Sequence, residues 1–465
     1  MRKPLIFAAV CAALAGCSLA PDYQRPPPPV DAQWPETADP KGARQVADLD
    51  WRAFFPDARL QALIAAALEY NRDMRVAAAR VQEARALYGI ARADRLPNVD
   101  LAVTGNSART PADLSLSGQE YTSHRYDAGL SVLSFELDFW GRVKNLSDAA
   151  LAGYLATEEA KRAFRLSLIA DVAGAYLTAL EMEERTRLAR DTVRARGESR
   201  VLVGSRREVG LASDLDYLIA DGAYQQAKAD LASLENQRAA AVNALNLLVG
   251  TRPENLPQGA GLKDQGIVPD LAADLPSDVL LRRPDVLAAE QQLIAANANI
   301  GAARAAFLPR VTLTAMLGVA SGQLSNLFDG SGAWSFQPVL RQPLFDFGRA
   351  SANVDLAEAR KVIAVAQYEK AIQQAFQEVA DLLAARKNLA EQLQSLEETQ
   401  KAQDQRLRLV EARYRGGVAS YLEVLDAQRE SFSAQQATVQ VRRAWLTSAA
   451  QLYKALGGGG EREGN

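Results

Sequence analysis

The sequence is short of the residues that staple or metallate a fold: two cysteines, one histidine and four methionines among 465 residues. Cys11 sits in an N-terminal leader, so the mature chain can form neither a disulfide nor a cysteine-ligated metal site, and packing alone must hold it together. His124 has no partner at ligand spacing and reads as a residue of the polar loop Ser107 to His124; no metal and no cofactor are expected. The scarcity of methionine argues against a thioether route for soft metals. Gly457 to Gly460 follow no strand and precede no helix, so they are not a phosphate loop, and the carboxylate pairs on helical stretches have ordinary i, i+4 spacing. An enzyme is not expected. The formal charge is only −3, with both signs interspersed, which leaves no footprint for nucleic acid. Long charge-free apolar runs are also missing from the mature chain. Its most apolar helical window, Phe164 to Leu180, carries Arg165 and Asp171, which are expensive at a bilayer centre, so no membrane helix is expected.

The N-terminus carries an address. Met1-Arg2-Lys3 is positive, Leu5 to Ala15 is apolar but too short to span a bilayer, and Leu14-Ala15-Gly16-Cys17 supplies small residues for cleavage. The tetrapeptide resembles the bacterial lipobox, which implies a signal peptide over 1–16, a mature start at Cys17 and a covalent lipid on that residue. Ser18 follows in place of the aspartate associated with inner-membrane retention, so the resemblance favours the outer membrane. Pro21 to Pro40, with four successive prolines at 26–29, should run extended over a surface.

Beyond the address the chain repeats itself. Gly141-Arg142 returns as Gly348-Arg349, Gly210-Leu211-Ala212-Ser213 as Gly417-Val418-Ala419-Ser420, and Gly250 as Gly457, all 207 positions later. The stretch Ala91 to Pro97 returns as Ala303 to Pro309 at an offset of 212. Each copy is too long for a solenoid unit, so this is a duplicated half-molecule.

Each half has one plan: helix, strand, loop, strand, very long helix, turn, helix. In the first, Leu60 to Arg95 is helical, Val99, Leu101 and Val103 alternate with polar or small residues, and a second alternating run leads from Ala128 to Trp140. In the second, Val311 to Val319 alternate, and the run Trp334 to Phe347 completes the pair. A helix filling Gly141 to Gly210 would be roughly 100 Å long. In its copy, Val365, Tyr368, Ile372, Ala375, Val379 and Leu382 open a seam that steps by three and four to Tyr414, broken only by Arg386, Gln400 and Gln403, the pattern of coiled-coil packing. Leu60 to Arg95 and Ser213 to Leu248 have 36 residues each, so two short helices end to end match a long one. Four strands cannot close a barrel, and open strand edges are not tolerated in lipid. If the strands lie in a membrane, several chains must share one barrel, and three would give twelve strands. Phe135, Phe139, Trp140, Phe345 and Phe347 cluster at the strand-to-helix junctions, as an interfacial girdle would.

The lipobox followed by Pro21-Asp22-Tyr23, the paired Leu-Pro strand starts, the Phe-Trp-Gly-Arg and Phe-Gly-Arg junctions and the run Arg413 to Arg429 together resemble the TolC-like outer membrane factors. Within them the chain is most similar to the lipoprotein, NodT-type branch that serves resistance-nodulation-division efflux pumps. The resemblance implies a membrane α+β fold: a homotrimer whose four strands per chain form a shared twelve-stranded outer-membrane barrel, continuous with a twelve-helix periplasmic α-barrel. It implies a lipid-anchored N-terminal and equatorial segment over 17–59, repeats over 60–250 and 278–457, an equatorial linker over 251–277 and a flexible tail over 458–465. It further implies passive conduction of small molecules such as drugs, with a periplasmic adaptor and an inner-membrane transporter as partners. A periplasmic coiled-coil adaptor lipoprotein or a duct for type I protein secretion are the alternatives.

Two sites carry across from the resemblance. Gly210, Leu211, Ala212 and Ser213, with Gly417, Val418, Ala419 and Ser420, match the turns that meet the adaptor; glycine permits a tight turn and close backbone approach. Leu422 and Asp426, four apart on one helix face, match the apolar and acidic constrictions of a closed gate, and Glu423 matches a second acidic position. Asp216 and Tyr414 match a hydrogen bond that fastens the closed state. Ala419 replaces an arginine of some relatives. Rings of close carboxylates should favour cations and respond to pH.

Overall fold

The structure, a computed structural model, describes residues 18–32, 34, 49–267, 277–329 and 332–458. The leader, Cys17, residues 268–276 of the linker and the tail beyond 458 lie outside the described residues. The main elements are α1 (Trp51–Phe54), α2 (Ala58–Tyr70), α3 (Arg72–Ala93), β1 (Asp100–Thr110), β2 (Tyr121–Glu136), α4 (Arg142–Glu208), α5 (Asp214–Val249), α6 (Pro284–Ala305), β3 (Arg310–Ser321), β4 (Gly332–Arg341), α7 (Arg349–Arg415) and α8 (Tyr421–Ala455). Helix, two strands, long helix and short helix therefore occur twice.

Contacts divide the chain into two compact units. The first holds the strands, within 80–158 and 288–369, and the N-terminal stretch to Pro27; the second holds 28–79, 159–287 and 370 onward.

In the first unit the strands form one antiparallel meander, β1-β2-β3-β4. They start and stop at other residues than their alternation suggests. The polar stretch after Val103 stays extended to Thr110, so His124 lies on β2 beside Ser107 at 2.7 Å, not in a loop. The runs expected to reach Trp140 and Phe347 stop at Glu136 and Arg341. Between each of these strand ends and the next long helix, an aspartate acts as a cap. Asp138 accepts from the Lys144 N–H at 2.7 Å and Asp346 from the Ala350 N–H at 2.8 Å, so the aspartate of each repeated junction satisfies donors at the start of a long helix. The one-residue difference between junctions is absorbed in the backbone: Gly141 turns at φ 69°, whereas Phe347 and Gly348 turn in succession at 55° and 85°. The repeated arginines differ as well. Arg142 makes a bidentate pair with Glu136, joined by Arg310 at 2.7 Å, but Arg349 has no such carboxylate among the described residues.

The N-terminal stretch crosses this unit without regular structure, as its prolines require. Ser18 donates to Asn145 at 2.8 Å, Asn297 donates to the Pro21 carbonyl, and Arg25 grips buried Glu290 bidentately at 2.7 Å.

In the second unit, Asp57 is a buried knot. It caps α2, accepts from Tyr176 at 2.9 Å and Gln265 at 3.0 Å, and takes the Ala260 N–H, tying the described part of the linker to α4. Phe54 stacks on Tyr453, and Phe55 meets both rings edge-on. The helix expected over Leu60 to Arg95 is broken at Asn71, whose extended backbone ends α2 while its side chain donates to the Leu248 carbonyl and accepts from the Met74 N–H. The long helices are as expected: α4 and α7 have 67 residues each. Every seam position from Val365 to Tyr414 is buried or half-buried. Arg386, which interrupts the seam, lies 5.5 Å over the Trp445 ring.

A stretch of α4 is long and apolar enough to cross a bilayer by length and composition. Leu168, Ile169, Val172, Ala173 and Leu177 within α4 are buried against protein, which accounts for the apolarity without a membrane.

Candidate functional site

The sheet of the first unit separates chemistry by face. Residues paired across antiparallel strands share a face, and so do residues two apart. One row reads Leu101, Leu130, Leu317, Trp334, exposed by 78%, 54%, 67% and 78%. The adjacent row, on the opposite face, reads Ala102, Gly129, Gly318, Ala333. Gly129 and Gly318 face each other, and a Cβ on either would collide with the backbone of the neighbouring strand. The rows beyond it on that face carry Asp100, Ser131, Met316 and Ser335, then Thr104, Asp127 and Ala320. A row of large exposed hydrophobics against a small and polar one is the distribution of a sheet with lipid on one side and water on the other. Phe345 and Phe347 are fully exposed, Trp140 is at the margin and donates to the Pro309 carbonyl, and Phe135 and Phe139 are half-buried. Trp334 and Phe336 on β4 join the exposed aromatics; their period-2 spacing was the signal for them.

The turns of the second unit resolve their repeated four-residue motif position by position. Gly210 and Gly417 adopt φ 76° and 79°, and Leu211 and Val418 donate back to Arg206 and Arg413 carbonyls, a Schellman closure of each long helix. Leu211 and Val418 then point outward, largely exposed. Ala212 and Ala419 turn inward onto a cluster of Val203, Ala220, Tyr414, Tyr421 and Val424. Ser213 and Ser420 cap α5 and α8 in reciprocal capping boxes with Asp216 and Glu423.

Two of the expected gate acids are the second partners of these boxes. Asp216 accepts from the Ser213 hydroxyl at 2.7 Å and its N–H at 3.0 Å, and does not bond Tyr414. Glu423 does the same with Ser420. The Ser213 and Ser420 donors hold both carboxyls below the usual range. Tyr414 does join the two turns, through another residue: the Arg206 guanidinium stacks 4.5 Å over its ring. Asp426 is not a bare carboxylate either. Arg406 binds one oxygen at 2.6 Å and Arg429 the other at 2.9 Å. Leu422, one turn away, is exposed, and both residues line the same groove. Arg429 was legible as an i+3 partner; Arg406, twenty residues away, was not.

An apolar-faced sheet with two open edges, combined with paired glycine turns that end very long helices, defines an outer-membrane channel subunit. The chain belongs to the outer membrane efflux protein family, whose family model matches residues 63–251 and 275–458. It is 43% identical to outer membrane protein OprJ of Pseudomonas aeruginosa over 99% of this chain and 97% of that one. It is 45% identical to the toluene efflux pump outer membrane protein TtgF of Pseudomonas putida, over 99% and 97%. The open-state structure of the MtrE outer membrane channel of Neisseria gonorrhoeae superposes with a TM-score of 0.87 at 39% identity, over 95% of this chain and 98% of that one. Its structural neighbours include outer-membrane channels, and this chain has their fold. It is an outer-membrane component of an efflux system, in a family of transport proteins.

Proposed function

We propose that three copies assemble into one duct that passively carries small molecules, drugs and apolar solvents among them, outward from a periplasmic adaptor and a resistance-nodulation-division transporter. The observation that carries this reading is the four-stranded sheet with unpaired edges at β1 and β4 and a large-apolar row on one face. Such a sheet is unstable in lipid until its edges are paired, and strands from other copies supply the partners. The exposed Leu211 and Val418 beside their glycines offer an apolar knob and an accessible backbone to the adaptor. Leu422 and Asp426 form the constriction. With Arg406 and Arg429 on Asp426, the ring is a tied set of ion pairs, so its charge no longer favours cations as a bare carboxylate ring would. A lipid on Cys17 anchors the chain, and the grip of Asn145 on Ser18 fits a lipid held beside the sheet.

Fractionation of cells expressing the full chain tests the assembly. The expected result is a heat-modifiable species of three-chain mass in the outer membrane, labelled by palmitate and losing the label in Cys17→Ser. A soluble or monomeric species would overturn the reading.

A further inference from the structure

Within the second unit, α4, α5 and α8 enclose a groove of about 650 Å³, within the size range of sites for drug-sized molecules. Leu422, Leu425 and Phe432 give it an apolar wall. Arg196 of α4 also lines it and is only 7% exposed. One guanidinium nitrogen donates to the Ala223 carbonyl at 2.9 Å, but the Nε–H is buried without any partner. Among the described residues no carboxylate pairs with this cation, and burial pushes its pKa down. Of the acids that line the same groove, Asp426 is held by Arg406 and Arg429, while Asp230 accepts from the neutral amide of Gln226 and acts on Arg196 only through space, without an ion-pair contact. The buried hydroxyl of Tyr421 also lacks a partner. A water could satisfy the Nε–H but would bring no negative charge to the guanidinium, which Asp230 compensates only through space, and a buried cation without an ion pair is costly.

We propose that this groove is a resting site for amphiphilic organic anions, with the apolar body against Leu422, Leu425 and Phe432 and the carboxylate or sulfonate on Arg196. The inference rests on the efflux-duct reading and adds a substrate class to it.

The test is binding of 8-anilinonaphthalene-1-sulfonate to the full-length assembly in lipid nanodiscs, beside N-phenyl-1-naphthylamine, which has the same body without the charge. Saturable binding of the sulfonate should weaken at least about tenfold in Arg196→Met, persist in Arg196→Lys and weaken in Phe432→Ala. The uncharged probe should be indifferent to Arg196→Met. Equal affinity of wild type and Arg196→Met for the sulfonate overturns the proposal. Should Arg196→Met fail to assemble, Ser433→Glu places a carboxylate in the groove; it should abolish sulfonate binding, and unchanged binding overturns the proposal equally. Conductance of the same preparations separates the two readings. A conducting pore with Arg196-independent binding removes only this inference, whereas the absence of any pore in Leu422→Ala/Asp426→Ala removes the duct itself.

Discussion

Ser213 and Ser420 carry more of the turns than their size suggests, because each satisfies helix donors that nothing else reaches. Replacing Ser420 by alanine should cost about 1 kcal/mol, seen as faster amide exchange at 421–424 in an assembly that still forms. The same bonds set the pH dependence. Asp216 is held below its ordinary range by the Ser213 donors, so its stabilisation is complete above the unfolded-chain value of about 4 and is lost only as pH falls through the lower folded value. Protection of the amides at 213–217, taken relative to the intrinsic exchange rate at each pH, should therefore be flat from pH 8 to 5 and fall only below about 4; a fall near pH 6 would contradict this. At Asp426 the prediction concerns charge. Asp426→Asn leaves Arg406 without a carboxylate and Arg429 with Glu430 alone, so the reversal potential in a salt gradient should move toward anions relative to wild type. Sequence spacing put Leu422 and Asp426 on one helix face, but it could not show that Ser213 and Ser420 cap their helices, that Arg206 covers Tyr414 or that Arg406 reaches Asp426. The last two contacts join residues 208 and 20 positions apart across packed helices.

At the scale of elements, what was legible is what repeats. The three-four seam of α7 is buried or half-buried at every position, because a coiled-coil period leaves little freedom about which face packs. The break at Asn71 was hidden, because the residues around it are good helix formers and the interruption is imposed by a bond to the Leu248 carbonyl. Strand ends were hidden for the opposite reason: cross-strand pairing extended β1 and β2 through polar residues that alternation alone assigns to a loop. The small face of the sheet yields a sharp test. Gly318→Val would drive a side chain into the backbone of Ala128 and Gly129, and the heat-modifiable species should be lost. Gly417→Ala, at φ 79°, should cost roughly 1–2 kcal/mol and weaken adaptor capture more than assembly.

For the whole molecule, duplication explains why one chain carries two strand pairs and two long helices, and why the sheet still has open edges. Two halves supply four strands, too few to close, so completion must come from other copies. Both turns keep the glycine, the outward apolar residue and the capping serine, and Leu422 has Leu215 as its counterpart, but Asp426 of the second stands where the first has Ile219. The most direct test of a duct closed at that second turn is single-channel conductance of the purified protein in planar bilayers, wild type against Leu422→Ala/Asp426→Ala. A small, mostly closed pore that becomes much more conductive in the variant is the predicted result. If both proteins are folded and lipidated and neither conducts, the account is contradicted.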